Sequence, residues 1–179
     1  MVLKTKIKSM KKLNLFTLIL MFAVFMSFQS CKDNNEKEPN PEYIADDSSF
    51  SGYMSWPLES QNQGPDPAVG EAHIGNDSTV TRWIYFKNGQ DPVSGGYPVG
   101  TIIVKHSGNP DLTVNEYTAM VKRGNDFNPN GGDWEWFILN ANGTIASDGS
   151  GGKLRGANLL DGNCVACHAF ATADYVFSK

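Results

Sequence analysis

The sequence predicts an α+β domain that is mainly β, an antiparallel β-sheet with a few flanking helices. Four runs of β-branched and aromatic residues, each bounded by Gly, Pro, Asn or Asp, are typical of strands joined by turns: Thr79–Phe86, Thr101–His106, Glu116–Arg123 and Trp134–Asn140. The pair Asn142-Gly143 follows the last run and favours a hairpin that returns into a short strand at Ile145. The sheet is therefore expected to be antiparallel.

Helical segments are expected at fewer places. One precedes Tyr53, a turn is expected around Asp66–Glu71, and a third segment spans about Ala157–Ala169. This third segment carries a cysteine motif near the C-terminus, so it is the helix most closely tied to function.

The N-terminus has the pattern of an export signal. Met1–Lys12 contains five lysines and no acid, and Leu13–Phe28 is an almost unbroken apolar run. A retained membrane anchor is the alternative, but this run is shorter than the roughly 20 residues that a span needs. We therefore expect residues 1–30 to be a signal peptide.

The residue after this segment is Cys31, preceded by the small Ser30 and followed by a polar stretch. This order looks like a lipoprotein signal, in which cleavage before Cys31 lets its thiol take up lipid. Plain secretion with a free thiol is the alternative. Residues 31–41 are then a polar tether and residues 42–179 the folded domain, on an outer-membrane-anchored lipoprotein that faces the periplasm or the cell surface.

The charge of the mature chain is strongly negative. Removing residues 1–30 takes away five of the 15 basic residues and none of the 19 acidic ones, which leaves a net charge of −9. Such a chain is poorly suited to nucleic acid, and its surface would attract a basic redox partner protein.

The motif "NCVACHAFA" carries the strongest chemical signal. Cys164 and Cys167 can add as thioethers to the two vinyl groups of a porphyrin, while His168 binds the iron from one face. A structural zinc site would need a fourth ligand, and a thioredoxin-like redox pair would need a preceding βαβ unit. The spacing therefore predicts one covalent haem c on the C-terminal helical segment.

Strand alternation offers two geometries for "GTIIVKH". Lys105 and His106 are adjacent in one predicted strand, so their side chains point to opposite faces of the sheet. If the face with Lys105 lines the haem pocket, a lysine lies beside the porphyrin. If the face with His106 lines it, a second histidine ligand becomes possible. Both faces carry apolar residues, so both geometries stay open at this point.

Three motifs together resemble one known family. "GYPVGTIIVKH", "YTAMVKRGNDFNPNGGDWEWFILNANGTIASDG" and "NCVACHAFATADYVF" are similar, in order and spacing, to the cytochrome P-460 family, which includes the cytochromes c′-beta. The resemblance covers about Trp83–Phe177. It implies a largely antiparallel sheet, often dimeric, with one haem c whose proximal ligand is His168.

The same resemblance implies a function. In cytochromes P-460 a lysine, matched here by Lys105, is bonded to the haem and is counted with the catalytic residues. These proteins oxidise hydroxylamine at a five-coordinate iron. Cytochromes c′-beta lack the bond and bind nitric oxide instead. The resemblance therefore implies a small nitrogen compound as substrate or ligand.

Several roles around the haem stay open. A distal proton acceptor is expected among four acids, each of which could equally be solvated: Glu116, Asp126, Asp133 and Glu135. Five aromatic residues could wall the pocket or form plain core: Phe86, Phe127, Trp134, Trp136 and Phe137. If the protein were instead an electron carrier, a sixth ligand would come from His73, His106, Met54 or Met120.

Overall fold

The computed structural model describes residues 40–67, 70–89 and 91–177. The predicted signal peptide, Cys31 and most of the tether lie outside these residues. Within them, no helix is long and apolar enough to cross a membrane.

One sheet organises the described residues. Its six strands are β1 (Leu58–Gln63), β2 (Thr81–Phe86), β3 (Ile102–Gly108), β4 (Asn115–Lys122), β5 (Trp134–Ile138) and β6 (Arg155–Gly156). Each strand pairs with the next along the chain, and every pairing is antiparallel. The predicted antiparallel, mainly β class is confirmed, and the four predicted runs correspond to β2–β5.

The helical segments are shorter than predicted. The α-helix α1 spans Asn163–His168, not Ala157–Ala169, because Leu160 and Asp161 take left-handed backbone angles (φ 53° and 56°) that end regular helix before it. Short 3₁₀ turns make up the remaining helical structure described: Asp47–Phe50, Tyr53–Ser55, Ala72–Ile74, Lys87–Gly89 and Pro129–Gly131.

The predicted hairpin is present after β5. The amide of Asn140 donates to the carbonyl of Thr144 (2.8 Å), and Gly143 takes a φ of 84°. A Cβ at Gly143 would lie 2.8 Å from the carbonyl oxygen of Phe50, so a side chain has no room there. The return is a single bridge between Leu139 and Ile145, not a strand.

The two faces of the sheet pack differently. The face that we call the closed face carries Ile102 and Val104 of β3, which share one core cluster with the following buried residues: Ala45, Phe50, Tyr53, Tyr117, Ala119, Val121, Phe137, Leu139 and Ile145. The opposite face, which we call the cavity face, carries Ile103 of β3 with a second cluster: Phe86, Tyr97, Met120, Trp134, Trp136 and Val176.

Strand β3 separates Lys105 from His106. The His106 ring stacks between Trp83 and Tyr117 at centroid distances of 5.0 and 4.5 Å, and Tyr117 belongs to the closed-face cluster. Lys105 alternates to the cavity face, as the pleat requires. Of the two geometries that alternation allowed, the structure therefore has the one in which Lys105, and not His106, lies on the cavity face.

Candidate functional site

A cavity of about 290 Å³ lies on the cavity face, beneath α1 and the C-terminal turn. Its floor includes one row of paired residues across four strands: Ile84, Lys105, Thr118 and Ile138. Most of its wall is apolar. The groups in it that carry chemistry are His73, Lys105, Glu116, Cys164, Cys167 and His168.

Helix α1 presents both motif cysteines to the cavity. Cys164 and Cys167 are three residues apart and therefore share one side of the helix. Both are free thiols, and burial raises the pKa of Cys164. The helix packs closely against the Pro129–Gly131 turn, since a Cβ at Gly131 would lie 2.8 Å from Val165 Cγ2.

The His168 ring is held in place by backbone. Its Nδ1–H donates to the carbonyl oxygen of Tyr175 at 2.6 Å, which leaves the Nε2 lone pair for another partner. Its ring centroid lies 4.6 Å from that of Trp136. Burial, partly opposed by the Tyr175 bond, lowers the pKa of His168 to about 4, so the imidazole is neutral at pH 7. Metal binding requires this neutral form.

The turn that supplies the Tyr175 carbonyl is anchored by Asp174. The Asp174 carboxylate accepts from Lys122 Nζ (2.8 Å) and from the Tyr97 amide (2.7 Å), and its carbonyl accepts from Trp134 Nε1. The Tyr175 contact could not be predicted from the sequence, because every residue type carries the same backbone carbonyl. The segment "DYVF" therefore orients the motif histidine.

Lys105 lines the same cavity as the cysteine motif. Burial, and secondly the charge of Arg82, lower the pKa of Lys105 to about 8, although the Glu116 carboxylate opposes this. The side chain is therefore still mainly charged at pH 7, but the neutral amine, which is the nucleophilic form, is far more populated than in an ordinary lysine.

Glu116 is the one acid of the four candidates that lines the cavity. It accepts a 2.7 Å hydrogen bond from His73 Nδ1–H. Burial alone raises the pKa of Glu116, but this hydrogen bond and the positive charges of His73 and Lys105 outweigh it, so the net pKa lies below its usual value. Glu116 is therefore a carboxylate at neutral pH.

The other three acids serve the scaffold or face water. Asp126 is exposed, Asp133 accepts from the Asn128 amide at 3.1 Å, and Glu135 is buried between Arg123 and Arg155. Sequence alone could not rank the four acids, because each of them lies in or beside a loop. Only their three-dimensional environments distinguish them.

The aromatic and sixth-ligand candidates also separate. The Trp136 side chain lines the cavity, whereas Phe137, next to it in β5, points to the closed face and packs on Phe50. Phe86 and Trp134 are core, and Phe127 lies under the Arg123 guanidinium. Among the four sixth-ligand candidates, His73 and Met120 line the cavity. His106 is stacked on the closed face, and Met54 is 56% exposed.

The donor set fits a covalent haem. Two free thiols on one side of a helix, an imidazole with Nδ1 engaged and a largely apolar wall meet in one space. In residues 40–67, 70–89 and 91–177, no group of three or more His, Cys, Asp or Glu residues is arranged to hold a bare metal ion. A zinc site thus has no ligand set in this part of the chain.

Comparisons of the chain with family models, curated proteins and solved structures give no match. The site is therefore interpreted from its own residues.

Proposed function

We propose that this protein is a mono-haem c-type cytochrome of the cytochrome P-460 type that oxidises hydroxylamine or a related small nitrogen compound. One observation carries the proposal: Lys105 and Glu116 line the same cavity as Cys164, Cys167 and His168. A plain haem-attachment site needs the cysteines and the histidine alone. A partly buried lysine and an ionised carboxylate beside them suit a reaction that modifies the cofactor and moves protons.

Cys164, Cys167 and His168 would hold the haem. Each thiol S–H adds across one vinyl double bond, so two thioethers form without net oxidation. His168 would bind the iron through its Nε2 lone pair, and the Tyr175 carbonyl fixes the ring that would supply it. When bound, haem supplies an iron that exchanges electrons and takes a small ligand at its open face.

Lys105 would form the third covalent bond to the haem. Joining Nζ to a ring carbon removes one hydrogen from each atom, so this step takes a two-electron oxidant of the peroxide class. The lowered pKa of Lys105 supports it, because the attacking amine must be neutral. Such a bond distorts the macrocycle and so tunes the redox chemistry of the iron.

Glu116 would accept protons from the substrate. Conversion of hydroxylamine to nitric oxide releases three electrons and three protons. The Glu116 carboxylate lies within the cavity and is ionised, as a proton acceptor must be. The apolar side chains of Ile84, Met120 and Trp136 line the same cavity.

The net charge of the mature chain and the sequence of its N-terminus indicate a redox partner protein and a membrane anchor. The electrons would pass to a redox partner protein, and a net charge of −9 after removal of residues 1–30 favours a basic one. A lipid on Cys31 would anchor the protein to the outer membrane, facing the periplasm or the cell surface. A homodimer is implied by the family resemblance.

A nitric-oxide-binding protein of the cytochrome c′-beta type is the alternative. The same cavity serves it if Lys105 stays unbonded, because Lys105 is also within the electrostatic reach of Glu116 and can remain an ammonium ion. This protein would bind nitric oxide tightly without turnover.

Hydroxylamine-dependent reduction of a dye by the haem-loaded protein tests the proposal. Lys105→Leu should abolish turnover but keep the thioether-bound haem. Lys153→Leu, at a lysine paired with Asp47 on the surface, should retain turnover. Full activity in Lys105→Leu would show that the lysine is not required for the reaction. Nitric oxide binding without dye reduction in the wild type would favour the alternative.

A further inference from the structure

Two imidazoles meet in the cavity. The ring centroids of His73 and His168 are 6.3 Å apart, and the ring planes are perpendicular, at 89°. His73 comes from the Ala72–Ile74 turn and His168 from the end of α1, so two distant parts of the chain deliver them to one space.

Each ring has one nitrogen engaged and one left over. His168 Nδ1–H donates to the Tyr175 carbonyl, and His73 Nδ1–H donates to Glu116 Oε1 at 2.7 Å. In the neutral ring this leaves the Nε2 lone pair as the remaining acceptor. Histidines that bind metals almost always donate their other N–H to a carboxylate or a carbonyl. Both rings have this arrangement.

The separation of the rings suits one metal ion between them. A metal–imidazole bond is about 2.0 Å, and with about 1 Å from the nitrogen to its ring centroid, two rings on opposite sides of one ion have centroids about 6 Å apart. The measured 6.3 Å is close to this value. Perpendicular ring planes are compatible with two axial ligands, because each ring can rotate about its own bond to the metal.

The backbone that presents His73 is strained. His73 and Ile74 have φ angles of 50° and 56°, and a β-branched residue such as Ile74 rarely takes this conformation. The buried guanidinium of Arg82 holds the segment, donating to the carbonyl oxygens of Ile74 and Gly64. Strain of this kind concentrates at ligand clamps and switch regions.

We propose that His73 is a displaceable sixth ligand of the haem iron, bound opposite His168 in the resting ferric protein and released when the small nitrogen compound binds. The inference rests on the proposed function and departs from the five-coordinate resting iron that the family resemblance implies, since the iron would have an open site only after His73 is released. In the exchange, the Nε2 lone pair leaves the iron as the lone pair of the incoming molecule binds, with no change of oxidation state. Strain at His73 and Ile74 weakens the bond, and Glu116 retains the freed ring.

His106 provides a matched control. It is also a histidine, but it belongs to strand β3, where it stacks between Trp83 and Tyr117 on the closed face and its Nε2 is hydrogen-bonded to the side chain of Asn115. Replacing it removes an imidazole of the same size without touching the cavity.

The experiment records absorption and electron paramagnetic resonance spectra of the full-length, haem-loaded ferric protein, together with its rate of cyanide binding. The wild type should be low-spin and six-coordinate. His73→Ala should be high-spin, should bind cyanide at least about tenfold faster, and should return to low-spin on adding imidazole. His106→Ala should match the wild type.

A high-spin wild type would overturn the inference whether or not any variant folds, and so would a low-spin His73→Ala. His73→Gln, which retains a polar side chain, gives a second variant if the alanine form is unstable. Thioether-bound haem is checked separately on denatured protein. Haem that is attached but high-spin refutes the gate alone, whereas absence of attached haem refutes the proposed function as well.

Discussion

The two faces of the sheet are built from the same strands but have opposite uses. On the closed face, Phe50 and Tyr53 from the 3₁₀ turns fill the space over β3–β5, and the packing is continuous. On the cavity face, α1 and the C-terminal turn cover the sheet but leave about 290 Å³ open. The fold therefore uses the closed face for packing alone, and it places its reactive groups on the cavity face beside a second core cluster.

Neighbouring residues of β3 show the consequence most clearly. His106 is a stacked ring held by Asn115, and Lys105 is an amine whose pKa is lowered to about 8 by burial and by Arg82. One step along a strand thus separates a packing residue from a reactive one.

The largest effect is expected from a substitution that prevents haem attachment on the cavity face and leaves the closed face intact. Replacing Cys164 and Cys167 together by alanine should abolish covalent haem, because no other thiol lines the cavity among the described residues. Haem staining of a denaturing gel measures it, with His106→Ala as the control that keeps its haem. Stain retained in the double variant would contradict the attachment sites.

The next prediction compares how much a phenylalanine in the closed-face core and one at the rim of the cavity contribute to the free energy of unfolding. Phe50→Ala should lower the free energy of unfolding by about 3–5 kcal/mol, because it opens a cavity in closed packing against Phe137. Phe177→Ala, at a rim residue that is 42% exposed, should cost less than about 1 kcal/mol. Urea unfolding of both variants measures the difference, and equal losses would contradict the division of labour.

The third effect concerns proton transfer. Glu116→Gln should lower the rate of hydroxylamine-dependent dye reduction by about 10²-fold, since general-base catalysis is typically worth about that much or more. Asp126→Asn changes an exposed acid outside the cavity and should leave the rate unaltered. Matching rates in the two variants would exclude Glu116 as the proton acceptor.

The smallest effect is a dependence of stability on pH. The lowered pKa of Lys105 means that the folded chain loses this proton before the unfolded chain does. Its positive charge therefore lowers the stability of the folded chain below about pH 8. Stability should rise as the pH increases from about 8 to 10.5, the ordinary pKa of a lysine. Lys105→Met should lose this rise, whereas Lys87→Met should keep it. Urea unfolding of the haem-free chain across this window measures the slope, and an unchanged slope in Lys105→Met would show that the lysine is not desolvated.

Sequence reasoning found the strands that have a buried, alternating side. β2–β5 carry this pattern, so their existence and antiparallel pairing were predictable. β1 reads "LESQNQ", an edge strand without buried hydrophobic residues, and β6 has two residues, so neither has a pattern to detect. Helix α1 was predicted too long because left-handed backbone angles at Leu160 and Asp161 are not encoded in hydrophobic periodicity.

The composition of the candidate site was predictable in part. The motif spacing identified Cys164, Cys167 and His168, and alternation reduced the Lys105 and His106 question to two geometries. Choosing between them depended on Phe50 and Tyr53, far away in sequence, which close the face that carries His106. The contact between His73 and Glu116 spans 43 residues and has no local signature.

Peptide mass spectrometry of the haem-loaded protein after trypsin digestion tests the central claim most directly. If Lys105 is bonded to the haem, trypsin cannot cut after it, and residues 88–122 stay joined through the haem to residues 156–179. This joined species is the predicted result. Separate peptides 88–105 and 106–122, with haem on residues 156–179 alone, would contradict the cross-linked oxidase and favour nitric oxide binding in the same cavity.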